Sequence, residues 1–322
     1  MGHILTKRIG LLMASATLAY AQFPSTANYH HVYTLGSKDG IHPPKILNKR
    51  LAKTTLGNPD TPYGLAFPLG VGTDSHNRIW IADNGTSSIH VFDGPKGAYR
   101  EIRRVPGLAT LQPAGIASDH TGRIYVSDAA SGNVLIFDDT GEFHRLLIPP
   151  RQGRLLNSPT AVAIADNVRT IYIADPPQKH ILALNQEGET VGSIPLPAGY
   201  SAPASITMMG GFLNVMAVMQ HFVQVISQTG IVRGALEWES IQYPTAFGYD
   251  PIRRRVFVAN PRYSTIEVFT TDGVSIGVFG QAGDGVDQFR RVDSIYVDPM
   301  GLVYVTDSRR GKVLVFDESL PR

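Results

Sequence analysis

Six positions repeat an aspartate, or a residue standing in its place, at the end of a short hydrophobic run: Asp83, Asp128, Asp175, Ala217, Asn260 and Asp307, at intervals of 42 to 47 residues. A ring of carboxylates could coordinate a cation, because hard cations take oxygen ligands. An aspartate at a strand end also accepts backbone N–H bonds from the loop that follows. Asn260 keeps the hydrogen-bonding capacity and gives up the charge, so the repeat reads as structural rather than metal-binding. A second constellation is basic and aromatic. Arg262, Tyr263, Arg290, Arg291, Asp293, Arg309, Arg310 and Lys312 lie in the last third of the chain, with Tyr243 and Phe289 interleaved and Asp287 among the few neighbouring acids. Such a patch could seat an anionic glycan, a carboxylate or an acidic protein surface. Ordinary solvated loop charge is the plainer reading of the same residues. A third is soft: Met208, Met209, Met216, Met219 and His221 fall in one stretch. Thioethers beside an imidazole can bind copper, but methionine also fills irregular cores, and strand alternation would split these side chains between two faces. Packing is the reading preferred.

Other chemistry finds little support. The chain has no cysteine, which removes disulfides, thiol catalysis and thiolate metal sites. Its histidines are scattered, with His76 and His120 in turn-like segments, His90 and His144 in strand-like ones. No H-E-x-x-H, G-x-S-x-G or phosphate-binding loop occurs. GQAGDG contains glycines but precedes no helical pattern, so it is a weak nucleotide signal.

The elements that must position these residues repeat too. RIWIADNGTSSIHVFD (Arg78 to Asp93) returns as RIYVSDAASGNVLIFD (Arg123 to Asp138) and as LVYVTDSRRGKVLVFD (Leu302 to Asp317). Each unit has a first short run, often opened by proline (PLGVGTD, PAGIASD, PTAVAIA, PASITMM, PTAFGYD and the divergent VDSIYVD). A β-rich run such as IYVSD follows, then a loop, a third run such as VLIFD, and a more polar fourth such as FHRLLI. Short runs rich in β-branched and aromatic residues, separated by Gly, Asn, Asp and Pro, are strands. Four strands per unit of about 45 residues predict a propeller blade. The fold expected is all-β, a six-bladed β-propeller of four-stranded antiparallel blades over residues 55–322. The last unit stops after its third strand, VLVFD, which would leave an unpaired edge. Either HHVYTLG (His30 to Gly36) or LAKTTLG (Leu51 to Gly57), both within an N-terminal segment of residues 22–54, is expected to supply the missing strand and close the ring.

The pattern P-x-G-[IV]-A-x-D, then G-x-[IL]-Y-V-x-D, then [RK]-[IV]-x-V-F-D resembles the NHL-repeat family of six-bladed propellers. VFGQAGDGVDQF (Val278 to Phe289) is similar to the Gly-rich, Gln-Phe segment that precedes many NHL blades. The resemblance spans nearly the whole chain after its first segment, and the fourth unit departs from it, with Ala217 for the aspartate. It implies binding on the face formed by the second-to-third-strand loops and the blade-to-blade connections. In propellers the first strand of each blade is innermost, which places Leu69, Ala114, Thr160, Ala204, Thr245 and Asp293 at the mouth of the central channel. Five of these are uncharged and none is histidine. The metal-binding Glu, Asn and Asp set of gluconolactonase-like propellers, and the zinc-binding histidines of the amidating lyases, are not found at these positions.

The first residues read as an export signal: Lys7 and Arg8, an apolar run from Ile9 to Leu18, and Ala19-Tyr20-Ala21 as a cleavage site. The run is shorter than the roughly 20 residues a spanning helix needs, and no later segment is apolar enough to span a bilayer. The expectation is a secreted or periplasmic protein, with residues 1–21 removed near Ala21. Of the 29 Lys and Arg residues, Lys7 and Arg8 lie in this segment, so the remaining 27 balance the 27 Asp and Glu. A neutral exported protein is not expected to bind nucleic acid. These observations lead to a noncatalytic binding or scaffold module, monomeric and without cofactor. Its expected ligand, a protein or an anionic envelope or glycan ligand, would be held by Arg262, Tyr263, Arg290, Arg291, Asp293, Arg309, Arg310 and Lys312. The alternative is a propeller enzyme of lactonase or lyase type with its chemistry in the channel.

Overall fold

The computed structural model describes residues 29–36, 64–93, 98–148, 155–165, 167, 169–196, 203–217, 222–238 and 241–318. Six four-stranded antiparallel sheets follow one another along the chain. Blade 1 runs Pro68–Thr73, Ile79–Asp83, Ser88–Asp93, Ala98–Ile102. Blade 2 runs Pro113–Ser118, Ile124–Asp128, Asn133–Phe137, Phe143–Leu146. Blade 3 runs Ala161–Ala165, Thr170–Asp175, His180–Leu184, Thr190–Pro195. Blade 4 runs Pro203–Met209, Phe212–Ala217, Phe222–Ile226, Val232–Glu237. Blade 5 runs Phe247–Asp250, Arg255–Asn260, Thr265–Thr270, Ser275–Phe279. Blade 6 takes Val292–Val297, Val303–Asp307 and Lys312–Glu318 from the C-terminal end, and Tyr29–Leu35 from the other. The expected all-β, six-bladed architecture is the observed one.

The strand sequences follow from what each strand touches. The second strand of a blade is covered on both faces by neighbouring blades, so IWIAD, IYVSD and VYVTD are buried at every position and read as continuous apolar runs rather than alternating ones. The outermost strand has lost that cover: Val232–Glu237 is exposed along most of its length. The cores lie between blades. Trp80, Ile89 and Val91 of blade 1 pack on Ile124, Val126 and Phe137 of blade 2, and Phe257, Val268 and Phe279 of blade 5 on Ile295, Val305 and Phe316 of blade 6. A blade cannot bury its faces alone, which is why the units must stack and the ring must close.

Closure uses the first of the two candidate segments. Tyr29–Leu35 pairs antiparallel with Lys312–Glu318, from Tyr29 opposite Glu318 to Leu35 opposite Val313. Val32, Tyr33 and Leu35 are buried against Ile79, Ile81 and Phe92 of blade 1. The Tyr33 hydroxyl donates to Tyr304 at 3.3 Å, and Tyr29 stacks on Phe279 with ring centroids 4.9 Å apart. The second candidate, Leu51 to Gly57, lies outside the described residues, as does the export-signal segment. Near the axis the inner strands approach so closely that a Cβ on Gly70 would stand 2.1 Å from the Ala114 carbonyl oxygen of the next blade. Only glycine fits such a backbone contact.

Candidate functional site

The strand-end aspartates are fully buried and hold the face on which the connections gather. Asp83 accepts the N–H groups of Gly85 (2.9 Å) and Thr86 (3.1 Å) in the loop after it, as expected. It also accepts those of Ala66 (2.7 Å) and Phe67 (2.9 Å), at the entry to its own blade. Asp175 takes Asn157 (2.7 Å) and Ser158 (2.9 Å) in the same way, and Asp307 takes Arg290 (2.7 Å) and Arg291 (3.2 Å). Each carboxylate therefore ties the loop between second and third strands to the connection from the preceding blade. In blade 5, Asn260 has a reason to be neutral: its Nδ2 donates to Glu267 Oε1 at 2.7 Å, and Glu267 is itself buried. An aspartate there would face a second carboxylate without water.

On this face, blades 5 and 6 enclose a pocket of about 330 Å³ lined by Thr245, Asn260, Ser264, Phe289, Arg290, Arg291 and Arg309, among others. The predicted patch residues fall into different roles around it. Arg290 is exposed and pairs with Asp284 at 2.5 Å, which holds the Asp284 carboxyl below its usual range through that hydrogen bond. Arg291 pairs with Asp293 at 2.8 Å and lies over the Phe67 ring at 5.9 Å. Burial pushes the Asp293 carboxyl up, against the hydrogen bond from Ser308 and the charge of Arg291. Arg262 is exposed and stacks on Tyr263, 5.4 Å from the ring centroid. Arg309 is exposed and makes no hydrogen bond or ion pair to another described residue. Arg310 is different. Its side chain is only 4% exposed and donates to the Gln288 carbonyl and, at 2.5 Å, to the Asp284 carbonyl, so it fastens the connecting segment. Lys312 opens the third strand of blade 6, opposite Asp307. The Gly-rich GQAGDG segment now has a purpose: it turns between the short paired strands Gln281–Ala282 and Gln288–Phe289 and delivers Asp284 to Arg290 and Arg310. Sequence reasoning found the arginines and the interleaved Phe289 but missed Asn260 and Ser264 as lining residues, because the pocket exists only between two blades.

The same face opens into the central channel, a cavity of about 790 Å³ bounded by all six inner strands. Leu69, Ala114, Thr160, Thr245 and Asp293 line it as expected. The side chain of Ala204 lies outside the described residues. The strand register explains the mouth. In blades 1, 2, 4 and 6 the pairing of the inner strand skips at its entry, between Pro68 and Gly70, Pro113 and Ile116, Pro203 and Ser205, and Val292 and Ser294. A bulge re-aims the residue it releases, and Leu69, Ala114 and Asp293 are among those released. Further down, Ile116, Ile164 and Met208 reach the channel only half-buried. The three described methionines of blade 4 are divided, as alternation requires: Met208 packs towards blade 3, Met209 and Met216 towards blade 5. Met219 and His221 lie outside the described residues. Among the described residues no three His, Cys, Asp or Glu side chains converge on a metal position, and no helix is long and apolar enough to cross a membrane.

Comparison with known proteins agrees with this geometry. The NHL repeat family pattern matches residues 65–92, the span of the first three strands of blade 1. No curated protein sequence matches the chain. Among solved structures it is similar to a streptogramin B lyase, at 17% identity and a TM-score of 0.58 over 81% of each chain. It is similar to a catalytically inactive virginiamycin B lyase from Staphylococcus aureus with quinupristin, at 14% identity and a TM-score of 0.59, over 91% of this chain and 96% of that one. A structural genomics protein of unknown function from Bacteroides thetaiotaomicron aligns over 90% of this chain and 76% of its own, at 12% identity and a TM-score of 0.66. At these identities the likeness is one of fold. The chain is a six-bladed β-propeller whose first blade carries an NHL repeat.

Proposed function

We propose that the protein is an exported, noncatalytic binding module that seats an anionic protein or envelope-glycan ligand on the face between blades 5 and 6. The observation that carries this reading is Arg309, an exposed guanidinium at the rim of the 330 Å³ pocket with no described partner. Around it, Arg290 and Arg291 already have carboxylates, while Arg262 and Tyr263 form a planar cationic surface beside the opening. A planar guanidinium free to take both oxygens of a carboxylate suits this role. The reading includes residues 1–21 as a signal peptide, residues 22–54 as an N-terminal segment, residues 55–322 as the propeller, and a monomer.

Lactonase or lyase chemistry in the channel is the second reading, supported by the fold likeness to the two lyases. Among the described residues the channel mouth offers a single lining carboxylate, Asp293, and it is already paired with Arg291. The test uses the chain from Gln22 onward and its Arg262→Glu/Arg309→Glu variant, titrated with an acidic peptide and with polygalacturonate. The unaltered protein is expected to bind at least one probe, more weakly as salt rises, and the variant to bind neither while melting normally. Equal binding by both proteins would remove the patch from the function.

A further inference from the structure

The pocket and the channel adjoin at two shared lining residues, Thr245 and Arg291, both exposed, and form the two arms of one bent site. Its two arms differ in chemistry. The pocket arm carries Arg290, Arg291 and Arg309 and is closed by the Phe289 ring. The channel arm is long, since an inner strand of six residues gives roughly 20 Å of depth. Its wall presents the apolar side chains of Leu69, Ile116, Ile164 and Met208, each half-buried. Apolar surface left open in a concave site is the usual mark of a ligand cavity, and 790 Å³ lies within the roughly 300–1,000 Å³ range of small-molecule sites. The junction does not repel an anion, because Asp293 is ion-paired to Arg291 and Asp284 to Arg290, and Arg309 in the pocket lining has no ion pair to a described residue.

Resting on the proposed anion-binding role of this face, we infer that the ligand is a single-chain amphiphilic carboxylate: its carboxylate meets Arg309 in the pocket and its acyl chain passes Thr245 into the channel. Both parts are needed. Arg309 alone would hold any small anion weakly at a wet rim, and the channel alone would take a neutral hydrocarbon.

The experiment is calorimetric titration of the chain from Gln22 onward with acetate, butanoate, hexanoate, octanoate and octanol. Binding is expected to tighten about fourfold per methylene along the carboxylate series, from the transfer free energy of one buried CH2. Arg309→Ala should weaken every carboxylate about tenfold or more, the worth of a charge-assisted hydrogen bond. Thr245→Trp changes an exposed side chain at the junction, so it should melt normally and lose the dependence on chain length along the carboxylate series. Carboxylates that bind equally whatever their length would overturn the inference and leave the anion pocket standing. Octanol binding as tightly as octanoate would overturn the carboxylate assignment. Failure of every carboxylate, with the acidic peptide still bound, would defeat the inference but not the broader reading. Failure of carboxylates, acidic peptide and polygalacturonate together would defeat both.

Discussion

Opening the ring at its closing strand should cost much of the protein's stability, and Tyr33→Ala is the sharpest way to do it. Tyr33 is 1% exposed, sits between the last strand of the chain and blade 1, and donates to Tyr304. Truncating a buried aromatic to alanine costs about 3–5 kcal/mol through lost transfer energy and the residual cavity. That is a large share of the roughly 5–15 kcal/mol that holds a typical protein folded. For a chain of this size each kcal/mol moves the melting midpoint by roughly 2–4 °C, so Tyr33→Ala should melt some 6–20 °C lower. Differential scanning calorimetry on the variant and on Val232→Ala, a side chain 47% exposed on the outer strand of blade 4, separates closure from general truncation, since the second change should shift the midpoint by a few degrees at most. A chain starting at Thr61 lacks the strand altogether and should melt lower still, with partial recovery when a peptide of residues 29–36 is added. If Tyr33→Ala and the Thr61 chain both melt like the intact protein, the ring does not depend on this strand.

Two further outcomes follow from buried polar groups. Asn260→Asp would set a carboxylate against buried Glu267, 2.7 Å away in the present hydrogen bond. It should destabilise by about 1–3 kcal/mol at neutral pH, and urea titrations should show the loss shrinking as pH falls and one of the pair takes a proton. Burial holds the His31 imidazole down, to about 4. The unfolded chain therefore takes up this proton near pH 6.5 while the folded one does not, so stability falls as pH drops from about 6.5 towards 4. Burial also lowers His90, in the same direction. Midpoints measured at pH 7.5 and pH 5 should differ less for His31→Gln than for the unaltered protein, by an amount equivalent to about 1–3 kcal/mol. An unchanged difference would remove His31 from the acid response.

The amino-acid sequence by itself determined the number of blades, the strands within them and the need for a closing strand. These depend on local periodicity, and a unit that ends one strand short announces its own unpaired edge. It also determined that the strand-end aspartates are hydrogen-bonding groups, because Asn260 can replace one. Only the tertiary structure decided that these aspartates reach back 16 to 18 residues to the start of their own blade. It alone separated Arg309 from Arg310. The two are neighbours of one type in one loop, and nothing local distinguishes them. Arg310 turns inward because the Gln288 and Asp284 carbonyls, 22 and 26 residues away, wait for its donors, and Arg309 is left facing water. The bent cavity is likewise a property of blades side by side. Its walls come from strands far apart in the chain, which meet only when the ring closes.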